Sequence, residues 1–425
     1  MIIAVIGAGY VGLITALCLA KIGKSVICFD MQTDKIESLK NGIAPFLEPG
    51  LPELLQEATN SGKVKFTSNI NDLKDSSIAF VCVGTPNDPK TGSSDLSYLY
   101  SAIESLENVL SQSSTIVIKS TVPIGTGEDI YKKYPKKLSF ASCPEFLREG
   151  SAIYDFMNPE RIIIGTRNDQ DKSRIIDIFG YFKDKAEFVH TNVTTAEMIK
   201  YAANSFLAMK VGFINEMARL CDSFDANIKD VSLGIGLDSR IGKAFLNPGP
   251  GFGGSCFPKD VKALSTTAQN HAKELPIINN ILVSNQMHKE YLADFIVKIA
   301  QKYNQNNIGI LGVTFKANTD DMRDSASLTI LPMLKSKGLN AIIYDPAYTN
   351  SKPKELDNFN FVNNLQGVLD STKIIVVLTE WSEFKGLNFN SDAIIIDFRN
   401  IYCISDMQKQ NIKYYNLGRL NEGAN

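Results

Sequence analysis

The sequence predicts an α/β protein in which two doubly wound parallel sheets are joined by a central helical region with one long helix. Apolar strand segments alternate with helical patterns over residues 1 to about 190, and the alternation returns from about residue 307. Between them lies a proline-free segment, residues 194–221, with apolar residues on nearly all helical faces. We therefore expect three domains, at residues 1–193, 194–302 and 303–425.

The predicted strands are short apolar runs bounded by turn residues. In the first domain they are Ile2–Ile6, Ser25–Phe29, Ile78–Val83, Thr115–Ile118, Leu138–Ala141 and Arg161–Gly165. In the last domain they are Ile308–Val313, Ala341–Tyr344, Ile374–Leu378 and Ala393–Asp397. Helical patterns cover residues 194–221, Asp230–Gly234 and Asp260–Lys302. We expect the long helix to be buried on most faces, between domains or against a second subunit.

The composition excludes several classes of protein. The 425 residues are 44% hydrophobic, enough for two or three cores, and the net charge of −2 gives no general attraction for nucleic acid or a membrane. Glycines interrupt the apolar first segment and no basic segment precedes it, so we expect neither a signal peptide nor a membrane helix, and a cytoplasmic location. The seven cysteines show no metal-ligand spacing, so we expect reduced thiols and no metal.

The first strand runs directly into GAGYVG at residues 7–12, and a helical pattern follows. A second strand ends on Asp30, 18 residues beyond Gly12. Such glycines permit a tight turn and a close approach of a pyrophosphate to the helix N-terminus, and the acid accepts bonds from ribose hydroxyls. Because this carboxylate would repel the extra phosphate of NADP, the fingerprint predicts NAD. The expected contacts are Gly7, Gly9, Tyr10, Val11, Gly12 and Asp30.

Polar residues follow the ends of three later strands. These segments are Gly84-Thr85-Pro86, Ser120-Thr121-Val122-Pro123 and residues 143–150. Ligands of doubly wound sheets bind outside the carboxyl ends of the strands. We therefore expect the cofactor crevice to be lined by Thr85, Pro86, Ser120, Thr121, Glu145 and Glu149.

The segment FLNPGPGFGGSCFPKD, residues 245–260, presents one thiol, Cys256, on a backbone rich in glycine and proline. Pro258 suits the first turn of a helix, which places the thiol at or next to a helix N-terminus. There the helix dipole and the free N–H groups favour a thiolate. The other six cysteines lie in apolar or unremarkable segments and are expected to be structural.

Three polar residues of the long helix, Glu197, Lys200 and Asn204, are spaced by three and four and share one helical face. They could form a solvated face or an intrahelical Glu–Lys pair. The helix is otherwise too apolar for a broad wet face, so we favour polar partners in a cleft.

A dinucleotide site and an activated thiol in one chain suggest oxidation of an alcohol or aldehyde to a carboxylate. An aldehyde gives up a hydride only as a tetrahedral adduct, and the thiolate of Cys256 would supply it as a thiohemiacetal, whose oxidation gives a thioester. Lys200 and Asn204 would stabilise the oxyanion, and Asp260 or Glu145 would position the hydrolytic water. No histidine lies in these motifs, so we expect no histidine base.

These motifs together resemble the UDP-glucose/GDP-mannose dehydrogenase family, as do the segments Asn41–Leu51, Lys119–Pro123 and Gly312–Ser325. The resemblance covers nearly the whole chain. It implies an NAD domain, a central region that builds a homodimer, and a C-terminal domain for the uridine nucleotide. It also implies oxidation of UDP-glucose to UDP-glucuronate, with GDP-mannose or UDP-N-acetylmannosamine as alternative substrates.

The resemblance also implies roles for single residues. Cys256 is similar to the family nucleophile, and Lys200 and Asn204 to the groups that hold the reacting oxygen. The residues similar to those that order water and assist proton transfer are Asp260, Thr121 and Glu145. The implied further cofactor contacts are Lys35, Glu149 and Arg323. The implied substrate contacts are Glu145, Phe146, Leu147, Lys200, Asn204, Phe245, Asn247, Gly251, Gly253, Lys316 and Arg399, with Arg240 reaching the substrate of a neighbouring subunit. Cys143 departs from the asparagine common in this family.

Two other interpretations stay open. A two-electron dehydrogenase of the 3-hydroxyacid or 6-phosphogluconate type also pairs a nucleotide domain with a helical one and uses a helical lysine and asparagine. It needs no thiol and no second α/β domain, and it would form one NADH per substrate. A binding or sensing protein that has lost catalysis would bind NAD without turnover.

Overall fold

The computed structural model describes residues 1–88, 91–134, 139–224 and 226–419. The chain divides into two compact units: unit 1 comprises Met1–Ala203 and Lys262–Glu274, and unit 2 comprises Asn204–Val261 and Leu275–Asn425. Each unit contains one sheet of predominantly parallel strands with Rossmann-like connections. The predicted α/β class, with two such sheets and a central helical region, is confirmed.

Unit 1 begins with the strand–helix alternation that the sequence predicts. Its strands are β1 (Ile2–Ile6), β2 (Ser25–Phe29), β3 (Val64–Thr67), β4 (Ile78–Val81), β5 (Thr115–Ile118), β6 (Ser139–Ser142), β7 (Arg161–Gly165) and β8 (Glu187–Thr191). Its helices are α1 (Tyr10–Lys21), α2 (Thr33–Lys40), α3 (Leu51–Asn60), α4 (Ser97–Val109), α5 (Thr126–Lys133), α6 (Ala152–Met157) and α7 (Asp169–Ile178). The strand order is β3-β2-β1-β4-β5-β6-β7-β8, and only β6 and β7 meet antiparallel.

The strands at the centre of this sheet are apolar because helices cover both faces. Every residue of β4 and β5 is buried. One core packs α1, α3, α6 and α7 against the sheet, and a second packs α4 and α5 against the opposite face. The carboxyl ends of β1, β4 and β5 therefore lie side by side at one edge.

Four of the six strands predicted for this region have the predicted bounds. β4 ends two residues earlier than predicted, and β6 runs to Ser142, with Leu138 of the predicted strand lying outside the described residues. The sequence does not predict β3, whose four residues include an exposed lysine, Lys65. His190 lies in β8, and its Nε2 is 2.9 Å from Oγ1 of Thr166.

Four helices follow: α8 (Val193–Cys221), α9 (Ile228–Gly236), α10 (Phe257–Asn270) and α11 (Pro276–Lys302). The predicted helical range Asp260–Lys302 is interrupted at residues 271–275, where Ala272 has a φ of +51°. Pro276 then opens α11, since its fixed φ and missing N–H suit the first turn. No helix of the described ranges has the length and apolar character that a membrane crossing requires.

The long helix α8 has one apolar face that is exposed in the single chain. Phe206, Phe213 and Leu220 recur every seven residues and are 57%, 46% and 52% exposed. Their spacing places them on one helical face. The prediction that α8 is buried on most faces, between domains or against a second subunit, stays a prediction for this face, which the single chain leaves uncovered.

The sheet of unit 2 contains β9 (Asn307–Leu311), β10 (Asn340–Tyr344), β11 (Asn360–Phe361), β12 (Ile374–Val377), β13 (Ile394–Asp397) and β14 (Lys413–Asn416). Its helices are α12 (Ser327–Ser336), α13 (Leu365–Ser371) and α14 (Ile404–Lys409). The strand order is β11-β10-β9-β12-β13-β14, and all pairs are parallel. The four strands that the sequence predicts here are present, with bounds shifted by one or two residues.

The two sheets repeat one local geometry at the end of their first strands. Gly7 donates its N–H to Phe29 over 2.7 Å, and Gly312 donates to Tyr344 over 2.8 Å. In unit 2 the acidic residue after the second strand, Asp345, is buried and accepts bonds from backbone N–H groups and from the indole of Trp381.

Candidate active site

The dinucleotide fingerprint has the geometry that its glycines require. Gly7 has a φ of +95°, and a Cβ on Gly12 would lie 1.8 Å from the carbonyl oxygen of Gly7. A Cβ on Gly9 would meet nothing within 4 Å, so the N-terminus of α1 is open to a ligand there. Asp30 accepts bonds from the N–H of Ala8 over 2.8 Å and from Nζ of Lys35 over 3.1 Å. These residues fit the pyrophosphate and ribose of NAD.

Tyr10 of the fingerprint is held by a residue to which the sequence analysis assigns no role. Its hydroxyl donates to the buried carboxylate of Glu48, and burial is the main reason that the pKa of Tyr10 is raised. Glu48 also accepts the N–H groups of Gly150 and Ala152, over 2.6 Å and 2.7 Å. Glu48 therefore joins the fingerprint to the loop that carries Glu149.

The loops after β4 and β5 are bonded to each other, as expected for neighbouring strand ends. Thr85 donates its hydroxyl to the carbonyl oxygen of Thr121 over 2.7 Å. Ser120 donates its hydroxyl to the carbonyl oxygen of Val83 over 2.7 Å. The predicted cofactor residues Thr85, Pro86, Ser120 and Thr121 therefore lie together at the edge where a dinucleotide binds in this class of sheet.

Lys200 meets the loop after β6 with both a main-chain and a side-chain bond. Its Nζ donates to the carbonyl oxygen of Glu145 over 2.6 Å and to Oε1 of Glu145 over 3.1 Å, and both side chains are buried. The ring of Phe146 lies 5.1 Å from this Nζ and 4.1 Å from the guanidinium carbon of Arg161. Arg161 opens a strand, so no sequence spacing identifies it.

Glu197 lies one turn before Lys200 and is also buried. Its two carboxylate oxygens accept the N–H groups of Gly125 and Gly127, each over 2.7 Å. Burial raises the pKa of Glu197 to about 7, and the two N–H bonds oppose that rise. The polar face of α8 is therefore not a solvated one, because each of its three residues binds a group outside the helix.

In unit 2, Cys256 immediately precedes α10, as the sequence predicts. Its carbonyl oxygen accepts the N–H of Asp260 over 2.9 Å, and its Sγ lies 3.5 Å from the hydroxyl of Ser255. Asp260 is fully buried and accepts bonds from Nδ2 of Asn204 over 2.6 Å and from Nζ of Lys259 over 2.7 Å. Unit 2 thus brings together the thiol, the amide and the carboxylate that the sequence singles out.

The backbone leading to Cys256 is unusually constrained. Phe245 has a φ of +63°, which is rare for a residue with a side chain. A Cβ on Gly253 would lie 2.4 Å from the carbonyl oxygen of Asp324, and a Cβ on Gly254 would lie 2.8 Å from the ring of Phe315. Glycine is required at these positions because other chain segments approach too closely for any side chain.

Three buried side chains that the sequence analysis does not assign hold this loop from α8 and α11. The side chain of Asn215 accepts the N–H of Gly249 over 2.9 Å. The ring of His288 donates to the carbonyl oxygen of Gly249 over 2.8 Å. Asn285 accepts the N–H of Phe252 and donates to its carbonyl oxygen, both over 2.9 Å. Polar residues in otherwise apolar helices were the available signal, the same one that identifies Lys200 and Asn204.

The burial of His288 makes a prediction about pH. Burial lowers its pKa from 6.5 to about 4, with Arg219 and Lys289 adding to the effect. Between these values the unfolded chain binds more protons, so the stabilisation is complete above pH 6.5 and is lost as the pH falls towards 4. At about pH 5 the loss is about 2 kcal/mol. A His288→Gln variant keeps an N–H donor and should lack this loss when urea unfolding is compared at about pH 7.5 and about pH 5.

The matched control for this measurement is His271→Gln, at an exposed histidine. Its free energy of unfolding should change between the two pH values by the same amount as that of the unmodified protein. Equal pH slopes for the unmodified protein and His288→Gln would contradict the account of His288.

A cavity of about 500 Å³ in unit 2 contains two of the predicted substrate residues, Asn247 and Arg399. It is also lined by three lysines, namely Lys229, Lys243 and Lys385. Arg399 donates from Nε to the carbonyl oxygen of Leu378 over 2.8 Å and from Nη2 to that of Phe315 over 2.9 Å. Glu380 also lines the cavity and pairs with Arg399 over 2.9 Å, so four cations face one carboxylate there. A lining with this excess of positive charge suits a diphosphate, which prefers charge-assisted bonds.

Two arginines that were predicted to contact a ligand, Arg240 and Arg323, are instead paired with nearby aspartates. Arg240 and Arg323 are exposed, and each forms an ion pair with the aspartate two residues earlier, over 2.6 Å and 2.7 Å. Arg240 does not line the cavity described above. Within the described ranges, no group of three or more histidine, cysteine or acidic side chains is arranged to bind a metal.

A dinucleotide fingerprint, a thiol at a helix N-terminus and a cationic cavity define the class of an NAD-dependent oxidoreductase acting on a phosphorylated substrate. Comparison with family models gives the particular family. The NAD binding, central and UDP binding domains of the UDP-glucose/GDP-mannose dehydrogenase family match residues 1–183, 194–287 and 309–403. The chain belongs to this family, and the predicted NAD-dependent dehydrogenase is confirmed.

Individual relatives match over nearly their whole length. A UDP-glucose 6-dehydrogenase of Rickettsia typhi is 42% identical over 436 residues, which span 98% of this chain and 99% of the relative. A solved UDP-glucose dehydrogenase from Pyrobaculum islandicum is 31% identical with a TM-score of 0.88, covering 99% and 98% of the two chains. A UDP-D-ManNAc dehydrogenase from Pyrococcus horikoshii is 28% identical with a TM-score of 0.86, covering 99% and 100%. The fold alone therefore does not select the sugar.

Proposed function

We propose that this protein oxidises UDP-glucose to UDP-glucuronate in two successive NAD-dependent steps. Each turnover consumes two NAD⁺ and one water and forms two NADH and three protons. The observation that carries the proposal is the thiol of Cys256, placed at the N-terminus of α10 in a chain that also holds an NAD fingerprint. The 42% identity to a UDP-glucose 6-dehydrogenase supports this sugar over GDP-mannose and UDP-N-acetylmannosamine.

The reaction needs a hydride acceptor, a nucleophile, groups that stabilise an oxyanion and groups that order a water. NAD⁺, when bound, accepts a hydride from the sugar's terminal carbon in each step. The thiolate of Cys256 adds to the aldehyde formed in the first step, giving a thiohemiacetal, and the second oxidation leaves a thioester on the same sulfur. The ammonium of Lys200 and the amide of Asn204 stabilise the oxyanion of the adduct. Glu145, Thr121 and Asp260 order the water that hydrolyses the thioester.

The diphosphate is assigned to the cationic cavity of unit 2, where Arg399 would anchor it. Lys316, which does not line this cavity, is assigned as a second anchor. Phe146 and Leu147 would contact the sugar, and the loop at residues 245–253 would contact the nucleotide. The ring of Phe315 lies 5.4 Å from Nζ of Lys316. The proposal includes three functional domains, with boundaries at residues 193/194 and 302/303. It also includes contacts of Lys35, Glu149 and Arg323 with the cofactor.

The decisive experiment is a panel of nucleotide sugars with a count of NADH. UDP-glucose should give two NADH per molecule and UDP-glucuronate as the product, with GDP-mannose and UDP-N-acetylmannosamine much slower. One NADH per molecule would instead favour the two-electron alternative. Tight NAD binding with no turnover of any sugar would favour a sensing protein.

A cytoplasmic homodimer is the second part of the proposal. All seven cysteines are free, which supports a reducing compartment. The exposed stripe of Phe206, Phe213 and Leu220 on α8 supports a second copy of the chain as its cover. Arg240, exposed in the single chain, would then reach the substrate of the partner subunit.

Phe213→Glu is expected to convert the dimer to a monomer, because a charge would be buried in the apolar contact. Sedimentation velocity measures the change directly. Tyr154→Glu places the same charge at another exposed aromatic residue, on α6, and should leave the dimer intact. A Phe213→Glu protein that sediments as the unmodified one would remove this stripe from the interface.

A further inference from the structure

We propose that Glu197 is a positioning residue that fixes residues 124–127, the turn that joins the loop carrying Thr121 to α5. This inference rests on the proposed role of Thr121 in ordering water. The reaction outlined above does not use Glu197. The residue is only 3% exposed, and both its oxygens accept backbone N–H groups, from Gly125 and Gly127. Such bonds to a carboxylate are stronger than those between neutral groups.

The N-terminus of α5 depends on this carboxylate. Gly125, at the N-cap position, has a φ of +97° and no side chain that could cap the helix. The first N–H groups of a helix need acceptors, and the dipole favours a negative charge beside them. Glu197 supplies the acceptors from α8, a different helix, and it supplies the negative charge above its pKa of about 7.

At Gly127 the segment approaches α8 too closely for any residue but glycine. A Cβ on Gly127 would lie 2.2 Å from Cγ1 of Val193 and 3.0 Å from Oε1 of Glu197. The close packing and the two bonds specify one distance between the turn and the helix. The missing side chain of Gly127 and the carboxylate of Glu197 are therefore both needed for this contact.

The contact is transmitted to Thr121 over a short, bonded segment. The carbonyl oxygen of Pro123 accepts the N–H of Thr126 over 3.0 Å and its hydroxyl over 2.6 Å. The carbonyl oxygen of Thr121 accepts the hydroxyl of Thr85 over 2.7 Å. Thr121 is thus held between the turn on one side and the loop after β4 on the other.

The same face of α8 holds the second loop of this edge, since Lys200 bonds the main chain and side chain of Glu145. Glu197 and Lys200 are three residues apart and therefore neighbours on the helix. One helical turn thus sets the positions of the loops that carry Thr121 and Glu145. A small displacement of a reacting group can cost a hundredfold in rate, which is why such a contact matters.

The test is Glu197→Gln, which keeps the size of the side chain but presents an amide N–H₂ to one of the two glycine N–H groups. We expect kcat for UDP-glucose to fall about 10- to 100-fold, while KM and the Kd of NAD stay within about threefold. In a Thr121→Val background the Glu197→Gln substitution should lower kcat less than about twofold further, because Glu197 acts through Thr121. Glu57→Gln, at an exposed glutamate of α3, is the matched control and should change nothing.

An equal loss in both backgrounds would overturn the inference, as would a loss explained by a lower unfolding midpoint and a raised KM. Amide hydrogen exchange keeps the test independent of the proposed reaction. Even in a protein that oxidises no nucleotide sugar, the N–H groups of Gly125 and Gly127 should exchange at least about tenfold faster in Glu197→Gln than in the unmodified protein or in Glu57→Gln. Equal exchange rates would show that Glu197 does not hold the turn.

Discussion

A Cys256→Ala variant is expected to lose UDP-glucuronate formation by about a thousandfold or more in kcat. The aldehyde has no hydride to give until a nucleophile converts its carbon to a tetrahedral centre. Without the sulfur, the first oxidation can run and reverse, but the second cannot follow at a useful rate. NAD binding, which the fingerprint of unit 1 carries, is expected to be retained. The measurement is product formation by chromatography beside NADH release and NAD affinity.

The control for this variant is Cys403→Ser, because Cys403 is an exposed thiol. It should retain full activity and the ratio of two NADH per sugar. The buried thiol Cys82 is a poor alternative nucleophile, since burial raises its pKa to about 12. Normal production of UDP-glucuronate by Cys256→Ala would exclude a thioester on this residue.

The strands that the sequence predicts well are those buried on both faces. β1, β4 and β5 read as continuous apolar runs because helices cover the sheet on each side. The strands absent from the prediction are β3, β8, β11 and β14, which lie at the edges of the two sheets. Of these, β3 has four residues, and its exposed Lys65 interrupts the apolar pattern. Periodicity reports burial, so a short strand at a sheet edge carries little signal.

For the long helix α8, the sequence predicts the helix but not which of its faces is covered. Its apolar residues correctly predict a helix, but composition cannot tell which face is covered by the same chain. Phe206, Phe213 and Leu220 are exposed here, although their residue types are the same as those in the cores. A second copy of the chain would account for the pattern without any change in the helix.

In the site, motifs within a few residues of one another were predictable, whereas partners distant in sequence were not. The geometry of Gly7, Gly12 and Cys256 follows from local backbone requirements. Glu48 bonds to Gly150 across 102 residues, and Asn215 bonds to Gly249 across 34. Such pairs meet only after the chain has folded. A polar side chain in an otherwise apolar helix, such as Asn215, indicates that the residue has a polar partner. It does not indicate which residue that partner is.

Lys200→Met is expected to lower kcat about 100- to 1,000-fold, because the oxyanion of the sugar adduct loses its cation in a dry site. Methionine has a similar length and keeps the packing of α8. The same change should lower the free energy of unfolding by about 3 kcal/mol, since the buried carboxylate of Glu145 loses the ammonium that lies 3.1 Å away. The matched control is Lys210→Met, on the same helix, where Nζ donates to the carbonyl oxygens of residues 241 and 242 in unit 2.

Adding Glu145→Gln to Lys200→Met separates the structural role of the lysine from the chemical one. The second substitution removes the unpaired buried charge, so the free energy of unfolding should recover most of its loss. The rate should not recover, because glutamine supplies no positive charge for the oxyanion and no base for the water. Urea unfolding and steady-state kinetics on the three variants measure both quantities. Recovery of kcat in the double variant would mean that Lys200 serves only to neutralise Glu145.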